Sequence, residues 1–401
     1  MLNATVVIFG AFDRHNFGDM LFAHVEQRLF AERLPEAKPV FAGLAARDLR
    51  RYGGHAVAAL GTLAGRLRDA PVTLVHAGGE LLTCDAWEAA VMLDEPGDAQ
   101  ATIARYGSRA EERSAYARSV LHSDALAPYV VGRETWLQAS SIRFNAVGGV
   151  SLDAREAALR NEVLGKLRSA DDLSVRDAHT QATLRAAGIE ARLVPDPVTM
   201  IAELFDSRIA SRARHGPVAD VRRTCPRGYL AVQFSADFGD DATLDRLARE
   251  LDALAASTGL GIVLFRAGAA PWHDDIDAYE GLAARMHHRA LVFRSLDIWD
   301  ICALIATSAG YAGSSLHGRI VAMAYGLPRL NMLHPDEAAR TGKQAAYART
   351  WDDANAPGAV SIDELEAAMR DALSADRDAL IQRAFELARL YRADAARRAF
   401  D

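Results

Sequence analysis

Short β-rich runs alternate with amphipathic helical stretches along most of this 401-residue chain. The first examples are ATVVIFG followed by DMLFAHVEQRLF, KPVFAG followed by a helical stretch through HAVAALGTLAGRL, and VTLVHAGG followed by another helical stretch. This βαβ alternation builds parallel sheets with helices on both faces, because each strand returns to the same edge of the sheet through a helix. The sequence therefore predicts an α/β protein.

The chain is too long for one ordinary hydrophobic core, so two domains are expected. Residues 207–228, SRIASRARHGPVADVRRTCPRG, interrupt the alternation with basic, polar and turn-forming residues, and it resumes afterwards with YLAVQFS and GIVLFRAG. We predict an N-terminal Rossmann-like domain over residues 1–206, a linker over 207–228 and a C-terminal Rossmann-like domain over 229–401. The last helical segment, ALIQRAFELARLYRADAARRAF, would pack back on the first domain.

The charge and the hydropathy of the chain limit the classes of partner that we expect. The net charge of -7 arises from interspersed acids and bases, so no basic surface for nucleic acid is expected. The chain contains no run of about twenty apolar residues, so no transmembrane helix is expected. Its first ten residues, MLNATVVIFG, have neither the basic region nor the cleavage site of a signal peptide. We expect a cytoplasmic protein, which would meet any lipid-linked partner at the inner face of the membrane.

The residue types that bind metals are poorly arranged for that purpose. The segment His273, Asp274, Asp275 lacks the spacing that shapes a metal site and is better explained as a helix N-terminus. The three cysteines are far apart and form no Cys-x-x-Cys pair: Cys84, Cys225 and Cys302. We therefore expect neither a metal nor a cofactor.

The stretch GSSLHGRIVAMAYGLP, residues 313–328, has apolar residues at the spacing of one helix face. Ser314 and Ser315 are suited to cap the first turn, and the Gly-Leu-Pro sequence at its end to stop the helix. The first turn would then present free backbone N–H groups together with His317 and Arg319, which is a suitable site for an anion. The alternative is a capped core helix whose histidine and arginine face solvent.

Ligands of doubly wound sheets bind at the carboxyl ends of the strands, so polar residues after strands are candidates. Asn16 and Asp19 follow the first strand, where they serve either as a ligand loop or as a helix cap. Gly78 and Gly79 follow the third and let the backbone approach a ligand or simply turn. Arg176 follows a later strand and would clamp a phosphate or carboxylate, or form an ion pair.

Further polar residues follow the strands of the second half: Gln233, Ser235, Arg266 and Arg294. Nothing in the chain fits a Walker loop, a GxGxxG fingerprint after the first strand or a GxSxG elbow.

Five segments, NFGD, AGGELL, SVRD, VPDPV and SSLHGRIVAMAYGLP, resemble in this order the polysaccharide pyruvyl transferases, across about residues 5–332. The resemblance implies two Rossmann-like doubly wound domains facing a cleft, the GT-B fold. It also implies transfer of the enolpyruvyl group of phosphoenolpyruvate to two hydroxyls of a sugar, with release of phosphate. The acceptor would be a cell-surface polysaccharide or its lipid-linked precursor.

The same resemblance implies residue roles. His317 would be catalytic, Arg176 would bind the anionic end of the donor, and Asn16 and Asp19 would meet the acceptor, with Asp19 a candidate base. The chemistry is consistent, because a trianionic donor needs cations and a helix N-terminus. Ketal formation also needs a proton at the methylene carbon, a base for the hydroxyl and stabilisation of the leaving phosphate.

One position departs from the family pattern. Some members carry Arg-Leu-His where this chain has Ser315, Leu316 and His317. Arg319, one helical turn after Ser315, would replace the lost charge; otherwise phosphoenolpyruvate binding is impaired or the donor differs. Two alternatives stay open: a GT-B glycosyltransferase that uses a nucleotide sugar, and a non-catalytic relative that binds a glycan.

Overall fold

The structure, a computed structural model, describes residues 5–34, 38–134, 139–335, 342–353 and 358–397. The chain forms two compact units. The first unit contains Met1–Pro197 and Ala393–Asp401, and the second unit contains Val198–Arg392. Each unit has its own sheet, parallel in all but one strand pair of the first unit, and its own hydrophobic core. The predicted α/β class with two doubly wound domains is confirmed.

The first unit is built on an eight-stranded sheet. Its strands are β1 (Thr5–Phe9), β2 (Val40–Gly43), β3 (Arg47–Asp48), β4 (Ala56–Ala59), β5 (Val72–Ala77), β6 (Ala139–Val147), β7 (Asp172–Val175) and β8 (Arg192–Leu193). Its helices are α1 (Phe17–Arg33), α2 (Leu60–Arg66), α3 (Ala86–Val91), α4 (Pro96–Tyr106), α5 (Ala110–Leu121), α6 (Ala157–Arg168) and α7 (Ala178–Ala186). The strand order is β3-β4-β2-β1-β5-β6-β7-β8, with only the short β3 antiparallel to its neighbour.

The second unit contains a six-stranded sheet, in which all pairs are parallel. Its strands are β9 (Tyr229–Gln233), β10 (Gly261–Phe265), β11 (Ala290–Phe293), β12 (Gly310–Gly313), β13 (Arg329–Met332) and β14 (Ala359–Val360). Its helices are α8 (Ile201–Arg214), α9 (Gly216–Thr224), α10 (Asp241–Thr258), α11 (Ile276–Arg285), α12 (Ile298–Ala306), α13 (Leu316–Ala324), α14 (Lys343–Trp351), α15 (Leu365–Leu373) and α16 (Arg377–Arg397).

The strand order of the second sheet is β11-β10-β9-β12-β13-β14. This is the order of a doubly wound nucleotide-binding fold, in which the direction of winding reverses between the first strand, here β9, and the fourth, here β12. In the first sheet the corresponding reversal lies between β1 and β5. A ligand crevice is expected at the carboxyl ends of the strands on either side of each reversal.

The two units divide after Pro197 and not within residues 207–228. The segment that we predicted as a linker forms the end of α8 and all of α9, which pack in the second unit. Four apolar residues in this basic stretch are buried: Ile209, Ala213, Val218 and Val221. They lie at helical spacing, so the polar composition concealed two amphipathic helices.

The last helix, α16, contributes to both units. Its residues up to Arg392 belong to the second unit, and the residues that follow belong to the first. There, Asp394 pairs with Arg192 at 2.7 Å, and the carbonyl groups of Ala395 and Ala396 accept hydrogen bonds from Arg33. Among the described residues, no helix combines the length and the apolar character that crossing a bilayer requires.

Candidate functional site

Helix α13 begins directly after β12, at the reversal point of the second sheet. Ser315 is its N-cap, and the Ser315 hydroxyl accepts a hydrogen bond from the Gly318 backbone N–H at 3.2 Å. Gly326, with φ of 58°, follows the helix in the left-handed region. The helix and both its end signals were predicted from the sequence and are confirmed. Its first turn directs the positive end of the helix dipole toward the carboxyl edge of the sheet.

The side chain of Gln233 joins the end of β9 to this helix start. Its Oε1 accepts a hydrogen bond from the Ser315 backbone N–H at 2.7 Å, and its Nε2 donates to Oδ1 of Asp274 at 2.9 Å. Beside it, the Ser314 hydroxyl accepts a hydrogen bond from the Ser235 backbone N–H at 2.9 Å. Ser314 and Ser315 therefore lie where predicted, and the buried Gln233 holds the turn that contains them.

His317 lies in the first turn of α13, two residues after the cap. Only 9% of the residue is exposed, so the ring is almost completely enclosed by protein. An imidazole at this position can exchange a proton with a ligand or donate a hydrogen bond to an anion at the helix start. The structure thus places His317, Ser314 and Ser315 together, as the sequence predicted.

Arg319 does not lie at the anion site that we predicted for it. The residue is fully buried, and its guanidinium donates to Oδ2 of Asp352 from Nε at 3.0 Å and to the Gly358 carbonyl oxygen from Nη1 at 3.0 Å. Burial alone would raise the pKa of Asp352, but the neighbouring Arg319 and Arg329 lower it by a larger amount. The net effect is a lowered pKa, so the carboxylate stays ionised. Arg319 therefore neutralises Asp352 inside the domain. It neither replaces the charge missing at Ser315 nor faces solvent.

Asp274 has an unusual environment for a carboxyl group. Burial raises its pKa to about 7, although Ala267, Gln233 and Gly268 donate hydrogen bonds that favour the ionised form. The helix N-terminus that we predicted in this segment is present, but its cap is Asp275, which accepts from the Asp277 backbone N–H at 2.9 Å. Asp274 instead belongs to the cluster of Gln233 and Ser315.

In the first unit, Asn16 and Asp19 follow β1 at the reversal point of that sheet. Asn16 is the N-cap of α1 and accepts hydrogen bonds from the backbone N–H groups of Gly18 and Asp19. Asp19 is buried, and its Oδ1 accepts from the Gly79 backbone N–H at 2.8 Å. Both side chains thus hold local structure, and a contact with an acceptor stays a prediction.

Gly78 and Gly79 lie in the turn after β5, as predicted. Besides its bond to Asp19, Gly79 accepts a hydrogen bond at its carbonyl oxygen from the Gly148 backbone N–H at 2.6 Å. The turn therefore joins the segments that follow β1, β5 and β6. This arrangement brings backbone groups together at the carboxyl edge without a bulky side chain between them.

Arg176 is buried in a pair of salt bridges. Its Nη2 donates to Oε1 of Glu80 at 2.7 Å and its Nη1 to Oδ2 of Asp196 at 2.9 Å, and only 1% of the residue is exposed. Burial alone would lower the pKa of Arg176, but the two carboxylates raise it by a larger amount. The net effect is a raised pKa, so Arg176 stays positively charged. These contacts correspond to the ion-pair alternative, and a contact between Arg176 and the donor stays a prediction.

The carboxylates that pair with Arg176 belong to residues distant in the sequence, whereas the adjacent Asp177 has another role. Asp177 caps α7 by accepting from the Thr180 backbone N–H at 2.7 Å. Glu80 was not predicted, because no local pattern links it to Arg176, which lies 96 residues later.

Among the described residues, no group of three or more His, Cys, Asp or Glu side chains is placed to bind a metal ion. A cavity of about 480 Å³ lies in the first unit beside Asp172 and Arg192. These residues begin β7 and β8, so the cavity lies at the amino edge of the sheet, opposite the candidate residues.

Proteins of similar fold are sugar enzymes of the GT-B-like class. UDP-N-acetylglucosamine 2-epimerase from Rickettsia bellii matches with a TM-score of 0.57 and 11% identity, over 98% of this chain and 95% of that chain. The Neisseria meningitidis 2-epimerase bound to UDP-GlcNAc matches with 0.52 and 9%, over 98% and 100%. An α,α-trehalose 6-phosphate synthase from Burkholderia multivorans matches with 0.50 and 12%, over 98% and 96%. These likenesses establish the GT-B-like fold.

Residues 136–333 match the model of the polysaccharide pyruvyl transferase family. This match confirms the predicted resemblance over the range that contains SVRD, VPDPV and SSLHGRIVAMAYGLP, and it indicates a transferase enzyme. The matched range includes Arg176, Gln233 and the whole start of α13, whereas Asn16, Asp19, Gly78 and Gly79 lie before it. Comparison with curated proteins gives no match.

Proposed function

We propose that this protein transfers the enolpyruvyl group of phosphoenolpyruvate to two hydroxyls of a sugar, forming a cyclic pyruvate ketal and releasing phosphate. The observation that carries the proposal is the start of α13. It lies at the reversal point of the second sheet, within the family match, and combines a serine-capped first turn with an enclosed histidine. The acceptor is a saccharide of a cell-surface polysaccharide or of its lipid-linked precursor.

The reaction needs two C–O bonds to form at C2 of the donor. In one step, a sugar hydroxyl oxygen adds to C2 while the methylene carbon takes a proton and becomes a methyl group. In the other step, the second hydroxyl oxygen bonds to C2 while the bond from C2 to the phosphate oxygen breaks. The two hydroxyl protons balance the proton gained at carbon and the proton that leaves with phosphate.

Helix α13 and His317 are suited to two parts of this sequence. The helix dipole and the first-turn N–H groups stabilise an anion, which suits the phosphate or carboxylate of the donor. His317 supplies a proton to the methylene carbon or holds the phosphate as it departs. Asp19 is the candidate base for the acceptor hydroxyl. No metal is required in this scheme, so turnover should persist in excess chelator, and a loss that magnesium restores would contradict metal independence.

Calorimetric titration tests the donor directly. The wild-type protein should bind phosphoenolpyruvate saturably, and His317→Ala should weaken that binding and abolish phosphate release with an acceptor. His287→Ala is the matched control, because His287 is an exposed histidine of the same unit. Normal turnover by His317→Ala would remove the catalytic role. Binding of UDP-GlcNAc in place of phosphoenolpyruvate would indicate a glycosyltransferase, and binding of glycans alone would indicate a non-catalytic relative.

A further inference from the structure

Arg266 is the first residue after β10, at the carboxyl edge of the second sheet. It is half-buried, and its Nε atom is enclosed by protein without a hydrogen-bond partner. Across the part of the chain that the structure describes, the guanidinium of Arg266 forms neither a hydrogen bond nor a salt bridge. A guanidinium offers five N–H donors, and an enclosed donor without an acceptor is costly.

Other arginines in comparable positions are neutralised by the chain itself. Arg176 and Arg319 are buried against carboxylates. Arg294, which follows the neighbouring strand β11, pairs with Glu280 at 2.5 Å. Arg266 differs from all three, because its enclosed donor has no acceptor from the protein. An acceptor from outside the chain, either a ligand oxygen or a water molecule, is needed to satisfy it.

The strand pairing places Arg266 close to the start of α13. Leu264 of β10 pairs with Val232 of β9, and Gln233 of β9 pairs with Gly313 of β12. Residues 266, 234 and 314 therefore each follow one of three adjacent strands and lie side by side at the carboxyl edge of the sheet. Neighbouring strands lie about 4.8 Å apart, so an arginine side chain can reach a ligand beside the middle strand.

Side-chain contacts connect the same groups. The loop after Arg266 turns back so that Oδ2 of Asp274 accepts hydrogen bonds from the backbone N–H groups of Ala267 and Gly268. The other oxygen of Asp274 accepts from Gln233, whose Oε1 accepts from the Ser315 backbone N–H. Arg266 therefore flanks a continuous cluster that ends at the cap of α13.

The charge around Arg266 leaves it available for an anion. Asp274 is close enough for the Arg266 charge to lower its pKa, but burial raises that pKa to about 7, so the carboxyl group is only partly ionised at neutral pH. The neighbouring phenols of Tyr279 and Tyr311 stay neutral, because burial raises the pKa of each. At neutral pH the partly ionised Asp274 therefore offsets only part of the positive charge of Arg266.

We propose that Arg266 binds the phosphate group of the ligand held at the start of α13. Arginine suits this role because its planar group forms two parallel hydrogen bonds with phosphate oxygens. The inference rests on the proposed function in one respect, since that function makes the ligand phosphoenolpyruvate. Arg266 then supplies a cationic contact to the ligand, whereas Arg176 and Arg319 are each paired with carboxylates.

The test is calorimetric titration with three probes: phosphoenolpyruvate, inorganic phosphate and UDP-GlcNAc. The variants are Arg266→Gln, Arg266→Lys and the control Arg294→Gln, which removes another strand-end arginine from the same unit. Arg266→Gln should weaken binding of phosphoenolpyruvate and phosphate about 10- to 100-fold, as expected for a charge-assisted hydrogen bond to a partly enclosed anion. Arg266→Lys should fall between this variant and wild type, and Arg294→Gln should bind normally.

The outcomes separate this inference from the proposed function. Wild-type binding of phosphoenolpyruvate that Arg266→Gln leaves unchanged would overturn the role of Arg266 alone. Binding of phosphate or UDP-GlcNAc that depends on Arg266, without binding of phosphoenolpyruvate, would support the anion contact and overturn the donor. Absence of binding for all three probes would overturn both. The ligand-free melting temperature of Arg266→Gln should stay close to that of wild type, because no hydrogen bond or salt bridge to the described part of the chain is lost; a clearly lower value would indicate a structural role instead.

Discussion

Asp352 accepts hydrogen bonds from two buried guanidinium groups, those of Arg319 and Arg329. The carbonyl oxygens of Gly358 and Leu327 accept further N–H donors of the two arginines at 3.0 Å each. One carboxylate therefore compensates two cations that have lost their hydration. The attraction within such a group adds little net stability. Removing the carboxylate is nevertheless costly, because it leaves buried cations uncompensated.

The first prediction concerns this carboxylate. Asp352→Asn should lower the free energy of unfolding by about 3–5 kcal/mol, because two enclosed cations would lose their counter-charge. Urea unfolding measures the change. The control is Asp353→Asn, since Asp353 is half-exposed and pairs at the surface with Arg383, where about 0–1 kcal/mol is expected. Equal effects of the two substitutions would contradict the structural importance of the cluster.

The second prediction concerns Asp274. Its pKa is about 7 in the folded protein against an ordinary value of 3.8, so the folded state keeps a proton that the unfolded chain has released. Stability should therefore fall as pH rises from about 4 to about 7, and change little from this source above pH 7. Asp274→Asn should remove this fall. Urea midpoints of variant and wild type across this pH range give the difference, and parallel curves would show that Asp274 titrates normally.

At the scale of elements, α13 shows both what the sequence could predict and what it could not. Its ends are local features, namely a serine cap and a glycine stop, and both were predicted correctly. The direction of Arg319 depends on Asp352, which is 33 residues away, and on β13, so no local pattern indicated it. Arg176 shows the same limitation, because its partners Glu80 and Asp196 lie on other segments.

The third prediction concerns the segment between β6 and α6, where Gly148 packs against these charges. A Cβ at residue 148 would lie 2.3 Å from Oε1 of Glu80 and 2.9 Å from Nε of Arg176. Gly148→Ala should therefore destabilise the protein by about 1–3 kcal/mol through overpacking. The control is Gly165→Ala in the middle of α6, where an added Cβ meets nothing within 4 Å and should stabilise by about 0.5–1 kcal/mol. Thermal melting compares them, and a neutral Gly148→Ala would mean that the ion pair moves aside freely.

At the scale of the whole molecule, the alternation of strands and helices was sufficient to predict two doubly wound units. It was insufficient to locate their division, because α8 and α9 have a basic, linker-like composition and because α16 contributes to both units. The core of the first unit and the core of the second have no residue in common. The family match, by contrast, runs from β6 of the first sheet to β13 of the second.

The last prediction follows from these separate cores. Domains with their own cores unfold with limited coupling, so urea should reveal two transitions rather than one. Arg176→Ala, which removes a cation that contacts the buried Asp196, should lower only the transition of the first unit, and Asp352→Asn only that of the second. Hydrogen exchange read by mass spectrometry assigns each transition, because peptides from β1 and β5 report on the first sheet and peptides from β9 and β12 on the second. If either substitution accelerated exchange equally in both sets of strands, the protein would unfold as a single cooperative unit.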